Sequence, residues 1–149
     1  MTDAVIRSAT VADLPACAAI INAYIDATGW LPRAQAPEYI AAAFSPDLLT
    51  SRYVLVADRD GEIAGYASFD PKTRSLPALY LSPAARGKGI GKKLLDAVKA
   101  GAADGFTLTV WKANRDALRF YLREGLQVAG EDVDDDGLPV TRLTWGGTT

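Results

Sequence analysis

Two groups of residues in this chain have the types and spacing for chemistry. One is Arg86-Gly87-Lys88-Gly89-Ile90-Gly91-Lys92, in which glycines alternate with basic and apolar residues ahead of the amphipathic run Leu94, Leu95, Val98 and Ala102. The other is Asn114 with Tyr121, on a second amphipathic segment that stops at Gly125. Each glycine inside a helix costs roughly 1 kcal/mol relative to alanine, so three near a helix start need another reason. A helix N-terminus carries about half a positive charge and several unpaired N–H groups. Without Cβ atoms, a phosphate can approach those amides. Arg86, Lys88 and Lys92 add positive charge, so the stretch suits a phosphate-bearing ligand.

Other glycine motifs fit less well. A P-loop requires G-x-x-x-x-G-K-[ST], but Arg86 and Lys93 occupy its two ends. A G-x-G-x-x-G dinucleotide fingerprint finds Lys92 at its third glycine and no acidic residue at the expected distance. A turn built for packing alone requires neither three glycines nor Arg86 and Lys88. The remaining form is R-x-x-G-x-G, Arg86 to Gly91.

The elements that must position these residues follow from periodicity. Ala4 to Ser8 reads as a strand. Thr10 and Asp13 form a capping box before a helix whose apolar face, Leu14, Cys17, Ile20, Ile21, Tyr24 and Ile25, runs to about Thr28. Gly29 to Pro37 is irregular, and a second helix runs from Pro37 through Phe44. Tyr53–Ala57 and Ile63–Phe69 form a hairpin around Asp58-Arg59-Asp60-Gly61. Leu76 to Leu81 is a strand leading into the glycine stretch. Phe106 to Trp111 alternates as a strand, and Asn114 caps a helix over 115–124. Leu126–Gly130 and Pro139–Trp145 are the last strands, around an acidic turn from Glu131 to Gly137. The sequence predicts one mixed α/β domain spanning 1–149, with a disordered Gly146–Thr149 tail.

Composition removes several function classes. There is no histidine and one cysteine, which excludes Ser-His-Asp and Cys-His catalysis, a disulfide framework and multi-cysteine zinc sites. No metal site is expected. Net charge is −2, so nothing global points to nucleic acid or an anionic membrane. No apolar run approaches a membrane span and no secretory leader is visible, so a cytoplasmic setting is expected.

The phrase Leu79-Tyr80-Leu81-Ser82-Pro83-Ala84-Ala85-Arg86-Gly87-Lys88-Gly89-Ile90-Gly91 resembles the signature of the GCN5-related N-acetyltransferase (GNAT) superfamily, [Q/R]-x-x-G-x-[G/A] after a strand and opening a helix. Asn114, Ala117, Tyr121 and Gly125-Leu126 resemble the family's second pattern, and the element order agrees throughout. The resemblance implies a mixed central sheet of six to seven strands flanked by about four helices, with a splayed strand pair binding coenzyme A (CoA). It implies acetyl-CoA as co-substrate and direct transfer of its acetyl group to a primary amine, on a small molecule or a protein. Arg86, Gly87, Lys88, Gly89, Ile90, Gly91 and Lys92 would hold the pyrophosphate. Leu79, Tyr80 and Leu81 would pair with the pantetheine arm, an N–H near Leu81 taking the thioester oxygen. Asn114 would reach the pantetheine, and Tyr121 would be the general acid for the departing thiolate.

The acceptor side is less determined. The family resemblance places Tyr24, Trp30, Arg33 and Tyr39 near the acceptor, and alternation along Phe106–Trp111 lets Trp111 line the cleft. Trp30 reads equally as a ligand wall or as a lid anchored in the core. Arg33 reads as a carboxylate partner or as a solvated loop residue. The acidic run could attract a cationic amine or simply form a solvated turn. Where some relatives carry a catalytic glutamate this chain has Thr109, so the base is open among Asp70, Glu38 and water. A sensor that binds CoA without turnover, another acyl-CoA donor and a hydroxyl acceptor are the alternatives. Homodimers are common in the family, and a terminal strand could pair across a two-fold axis.

Overall fold

The computed structural model describes residues 3–146. The elements in chain order are β1 (Val5–Ser8), α1 (Leu14–Ala27), α2 (Pro37–Ala42), α3 (Leu48–Ser51), β2 (Tyr53–Arg59), β3 (Glu62–Asp70), β4 (Ser75–Leu81), α4 (Ile90–Gly101), β5 (Phe106–Trp111), α5 (Arg115–Arg123), β6 (Gln127–Val133) and β7 (Pro139–Trp145). The strands form one sheet in the order β1-β2-β3-β4-β5-β7-β6. Every neighbouring pair is antiparallel except β4 and β5.

That exception determines the site. β4 and β5 run parallel and meet at a single residue pair, Ser75 with Thr107. Parallel neighbours need a crossover, here α4, and from Leu76 onward the strands part. Two apolar clusters cover the two sheet faces. One holds Leu94, Leu95 and Val98 of α4 with Leu108, Val110, Tyr121 and Leu126. The other holds Cys17 and Ile20 of α1 with Val54, Val56 and Tyr66. The inward face expected for α4 is the one observed, Leu94, Leu95, Val98 and Ala102 all being buried.

The entry to α1 is pinned by charge. Asp13 accepts from Arg7 at 2.7 and 3.0 Å and from the Thr10 amide at 2.7 Å, and Arg7 also reaches Asp58 at 3.1 Å. These bonds hold the Asp13 carboxyl well below the usual carboxylate range. The expected capping box is present.

Several boundaries differ from the sequence reading. The second helix ends at Ala42 rather than Phe44, and the short α3 follows, which no periodicity announced. β6 continues to Val133, because Glu131, Asp132 and Val133 pair with Thr141, Val140 and Pro139. Glu131 meets Lys112 at 2.7 Å and Asp132 meets Arg142 at 3.6 Å, so half of the acidic run is neutralised strand rather than turn. Of the tail expected to be disordered from Gly146 on, Gly146 is placed as a bend and 147–149 lie outside the described residues. Among the described residues, no helix is long and apolar enough to cross a membrane, and no cluster of side chains suits a metal ion.

Candidate active site

The gap between β4 and β5 opens into a cleft of about 700 Å³. Leu79, Tyr80, Leu81, Arg86, Gly87, Gly89, Gly91, Lys92, Asn114 and Tyr121 line it, as do Tyr24 and Trp111. Most of the residues singled out from sequence therefore converge.

The β4 edge is set by hydrogen-bond alternation. Ser82 donates its N–H to the Ala64 carbonyl on the β3 side at 2.9 Å. Successive N–H groups of a strand point to opposite edges, so those of Leu81 and Leu79 face the gap. No strand covers them there, because β5 has already diverged. Gly65 supports this edge from β3. A Cβ at Gly65 would stand 2.6 Å from Leu81 Cδ2 and 2.9 Å from the Tyr80 carbonyl oxygen, so no larger residue lets β4 lie so close.

At the end of β4 the chain turns through Gly87 and Gly89, both at φ +77°. That left-handed conformation disfavours any residue with a Cβ. Gly89 is the N-cap of α4 and brings no capping side chain. The first ladder bond runs from the Lys93 N–H to the Gly89 carbonyl at 3.2 Å, so the amides of Ile90, Gly91 and Lys92 lack intrahelical partners. Space beside Gly87 and Gly89 is open where side chains would be. Bare amides, a free strand edge and room between them fit an extended diphosphate-bearing ligand such as CoA.

The charged residues divide. Arg86 and Lys88 are exposed and make no ion pair among the described residues. Arg86 lies with its guanidinium carbon 5.9 Å from the centre of the Tyr24 ring, whereas Lys88 does not line the cleft. Lys92 is held by Asp96 at 3.1 Å and by Glu124 at 3.0 Å, so carboxylates already offset its charge. Ile90 is buried and packs in the core beneath the loop.

Tyr121 is 8% exposed and lines the cleft. Its hydroxyl has no partner among the described residues, and no buried polar atom is left unpaired. The hydroxyl is therefore not fully enclosed, as suits a residue that lines the cleft. Burial, reinforced by Tyr80 and Tyr24, pushes the Tyr121 phenol well above its usual range. Asn114 is the N-cap of α5, its Oδ1 accepting from the Ala117 N–H at 3.1 Å. Its Nδ2 donates to the Tyr24 hydroxyl at 2.9 Å.

The wall formed by α1 is aromatic. Tyr24 lies 5.0 Å from Tyr80 and 6.4 Å from Trp111, and Trp30 meets Trp111 edge-on at 5.6 Å. The Trp111 indole N–H donates to Asp134 at 2.8 Å. Trp30 remains 37% exposed, belongs to neither core cluster and does not itself line the cleft, so it is neither a core-anchored lid nor a direct wall but a support behind Trp111. Tyr39 is exposed on α2.

Arg33 is not brought to the cleft. It donates to Asp26 at 2.7 and 3.1 Å, to Asn22 Oδ1 at 2.9 Å, to the Asn22 carbonyl at 3.0 Å and to the Gln35 carbonyl at 3.2 Å. These bonds consume its donors in fastening the loop to α1, and an acceptor carboxylate finds none free. The two carboxylates considered as bases also lie elsewhere. Asp70 is held below its usual range by the Lys72 and Thr73 amides and by Arg52 at 3.5 Å, and Glu38 is exposed on α2. Cys17 is fully buried with its thiol pushed up to about 12 by burial.

Sequence reasoning passed over Phe120, Glu124, Asp116, Arg123, Leu76, Pro77 and Gly65. Phe120 and Glu124 share the helical face of Ala117 and Tyr121, so the spacing that marks Tyr121 also marks them. Gly65 carried no such sign, since its role depends on which strand lies beside it.

A cleft of this kind, between parting parallel strands with a glycine-opened helix at one end, suits an extended phosphate-bearing ligand. The family model of the acetyltransferase (GNAT) domain matches residues 27–146, and the chain belongs to that family. The chain is 35% identical over 116 residues to an uncharacterised N-acetyltransferase, Rv2669 of Mycobacterium tuberculosis, covering 66% of this chain and 74% of that one. It is 34% identical over 107 residues to the peptidyl-lysine N-acetyltransferase YjaB of Salmonella typhimurium, covering 71% and 70%. The solved structure of yncA from Salmonella typhimurium with its cofactor acetyl-CoA superposes with a TM-score of 0.77 at 25% identity, covering 99% of this chain and 96% of that one.

Proposed function

We propose that this protein is an acetyl-CoA-dependent N-acetyltransferase, acting as a single domain on a primary amine, with the cleft between β4 and β5 as its active site. The observation that carries the reading is the unpaired edge of β4, continuous with the uncapped start of α4 and reached by the Tyr121 hydroxyl. Bound acetyl-CoA supplies an acyl group already activated as a thioester. Arg86 and the amides of Ile90, Gly91 and Lys92 hold the diphosphate, with Lys88 adding long-range charge. The gap-facing N–H groups of Leu79 and Leu81 take the place of a missing strand for the amide-rich arm. The Leu81 N–H is the backbone donor for the thioester oxygen.

Tyr121 keeps its proton at Oη through the physiological range because burial disfavours the phenolate. It is the acid available to a departing thiolate. Cys17 is buried in the α1 cluster, does not line the cleft and stays protonated, so the amine attacks directly, without a cysteinyl intermediate. Of the two carboxylates lining the cleft, Glu124 is bound to Lys92 at 3.0 Å and Asp116 lies exposed on the first turn of α5, 3.6 Å from Arg119, so neither is a buried base for the amine's proton. Deprotonation to water costs roughly 4–5 kcal/mol at neutral pH for a lysine-like amine, which the rising limb of the pH profile should record.

Calorimetric titration with CoA and acetyl-CoA, followed by thiol release over a panel of small amines and a lysine peptide, tests the reading. Saturable binding and amine-dependent thiol release are expected. No saturation at millimolar ligand would overturn it.

A further inference from the structure

The Tyr24 hydroxyl has an arrangement that a mere wall residue does not need. Its oxygen accepts from Asn114 Nδ2 at 2.9 Å. Asn114 cannot turn its amide over, because its Oδ1 is held by the Ala117 N–H at 3.1 Å. A chain of donors thus runs from the first turn of α5, through Asn114, to the Tyr24 oxygen. With that oxygen accepting, the phenolic proton is left over; the Thr28 hydroxyl stands nearby, donating to the Tyr24 carbonyl at 2.6 Å, but no described residue accepts the proton within hydrogen-bond distance. Tyr24 lines the cleft, so its proton is available there. Hydrogen bonds in series polarise one another, and this series starts at the positive end of a helix. The Arg86 guanidinium beside the ring acts in the same direction.

From this directed chain we propose that Tyr24 is a second hydroxyl of the reaction centre, donating a hydrogen bond to the acyl carbonyl oxygen from the α1 side while the Leu81 N–H donates from the β4 edge. No proton is transferred. The phenol shares its hydrogen with an oxygen that becomes negative as the amine adds, and a donor placed there lowers the barrier without tightening ground-state binding. Tyr121 on the opposite wall remains free for the leaving thiol. Burial pushes the Tyr24 phenol up and outweighs the opposing pull of Thr28, Arg86 and Asn114, so it stays protonated and able to donate. This inference rests on the acetyl-CoA reading above.

Infrared difference spectra of the protein with acetyl-CoA, carbon-13-labelled at the thioester carbonyl, read the bond directly. In the native protein the carbonyl band should fall below its position in water. Tyr24→Phe should move it back upward, with acetyl-CoA affinity within about twofold of native and kcat lowered about 100-fold, the cost of one oxyanion donor. Asn114→Asp keeps an oxygen for the Ala117 amide but replaces the donor to Tyr24 with an acceptor. It should turn the Tyr24 proton toward residue 114 and raise the carbonyl band as Tyr24→Phe does, in a protein whose thermal unfolding is unchanged. A native-position band in both variants overturns the role of Tyr24 while leaving the acetyl-CoA reading intact. Absence of acetyl-CoA binding by the native protein overturns both. A raised band in Tyr24→Phe with a native band in Asn114→Asp overturns the directed chain.

Discussion

On one side of the cleft, α4 and α5 present main-chain amides, three glycines and a single hydroxyl; on the other lie aromatic rings, backed by the loop after α1. The first wall is specified by backbone. Gly87 and Gly89 adopt φ +77°, and the β4 edge offers N–H groups that any side chain there would leave in place. The second wall is specified by side chains: Tyr24, Tyr80, Trp111 and Trp30 touch one another across α1, β4, β5 and a loop. A ligand common to many proteins can be held by groups that every residue carries. An acceptor particular to this one must be read by residue identity. The difference predicts that mutations on the two walls separate kinetically.

The largest effect is expected at the hydroxyl of the first wall. Tyr121→Phe should lower kcat by about 100-fold or more, as loss of a general acid does, with acetyl-CoA affinity unchanged by calorimetry. Equal turnover would remove its role and leave the first wall purely a binding surface. The pH profile sharpens the same point. An acid must be protonated to act, and burial raises the Tyr121 phenol. Activity should therefore rise with pH as the amine deprotonates, with no falling limb from Tyr121 below about pH 10, its ordinary range.

Next, Gly89→Val should weaken CoA binding at least about tenfold, because a β-branched residue at φ +77° is strained and moves the amides that open α4. Unchanged CoA affinity would break the claim that the first wall acts through backbone. On the second wall, Trp111→Ala should raise the acceptor KM about tenfold, leaving that for acetyl-CoA within twofold, through loss of a ring worth roughly 1–2 kcal/mol. A parallel rise in both constants would mean that the two walls are not separate.

The smallest effect concerns the frame that carries α1. The folded-state pKa of Asp13 is depressed by Arg7 and Thr10, so its stabilising contribution is present above the ordinary aspartate value and is lost as pH falls below about 4. Thermal unfolding should shift to lower temperature on acidification. Asp13→Asn should flatten that shift while lowering the melting temperature at neutral pH.

The first wall was legible because its signals are local. Glycines at fixed spacing state a backbone conformation, and Asn114 with Tyr121 states a cap and a helical face. The second wall was only partly legible. Arg33 resembled an acceptor ligand until Asn22, Asp26 and the Gln35 carbonyl were seen to occupy it. Lys92 resembled a phosphate ligand until Asp96 and Glu124 were found on it. The acidic run resembled a turn until β7 paired with its first half.

By itself, then, the sequence determined the order of elements, the glycine-opened start of α4 and the pairing of a cap with a tyrosine, because each follows from φ preferences and periodicity within a few residues. The tertiary structure alone decided where β4 and β5 part, that Gly65 lets β4 lie close, which charges are already spent, and that Tyr24 receives the Asn114 amide from 90 positions away. Those are contacts between distant segments, and their energies depend on what the rest of the chain brings alongside.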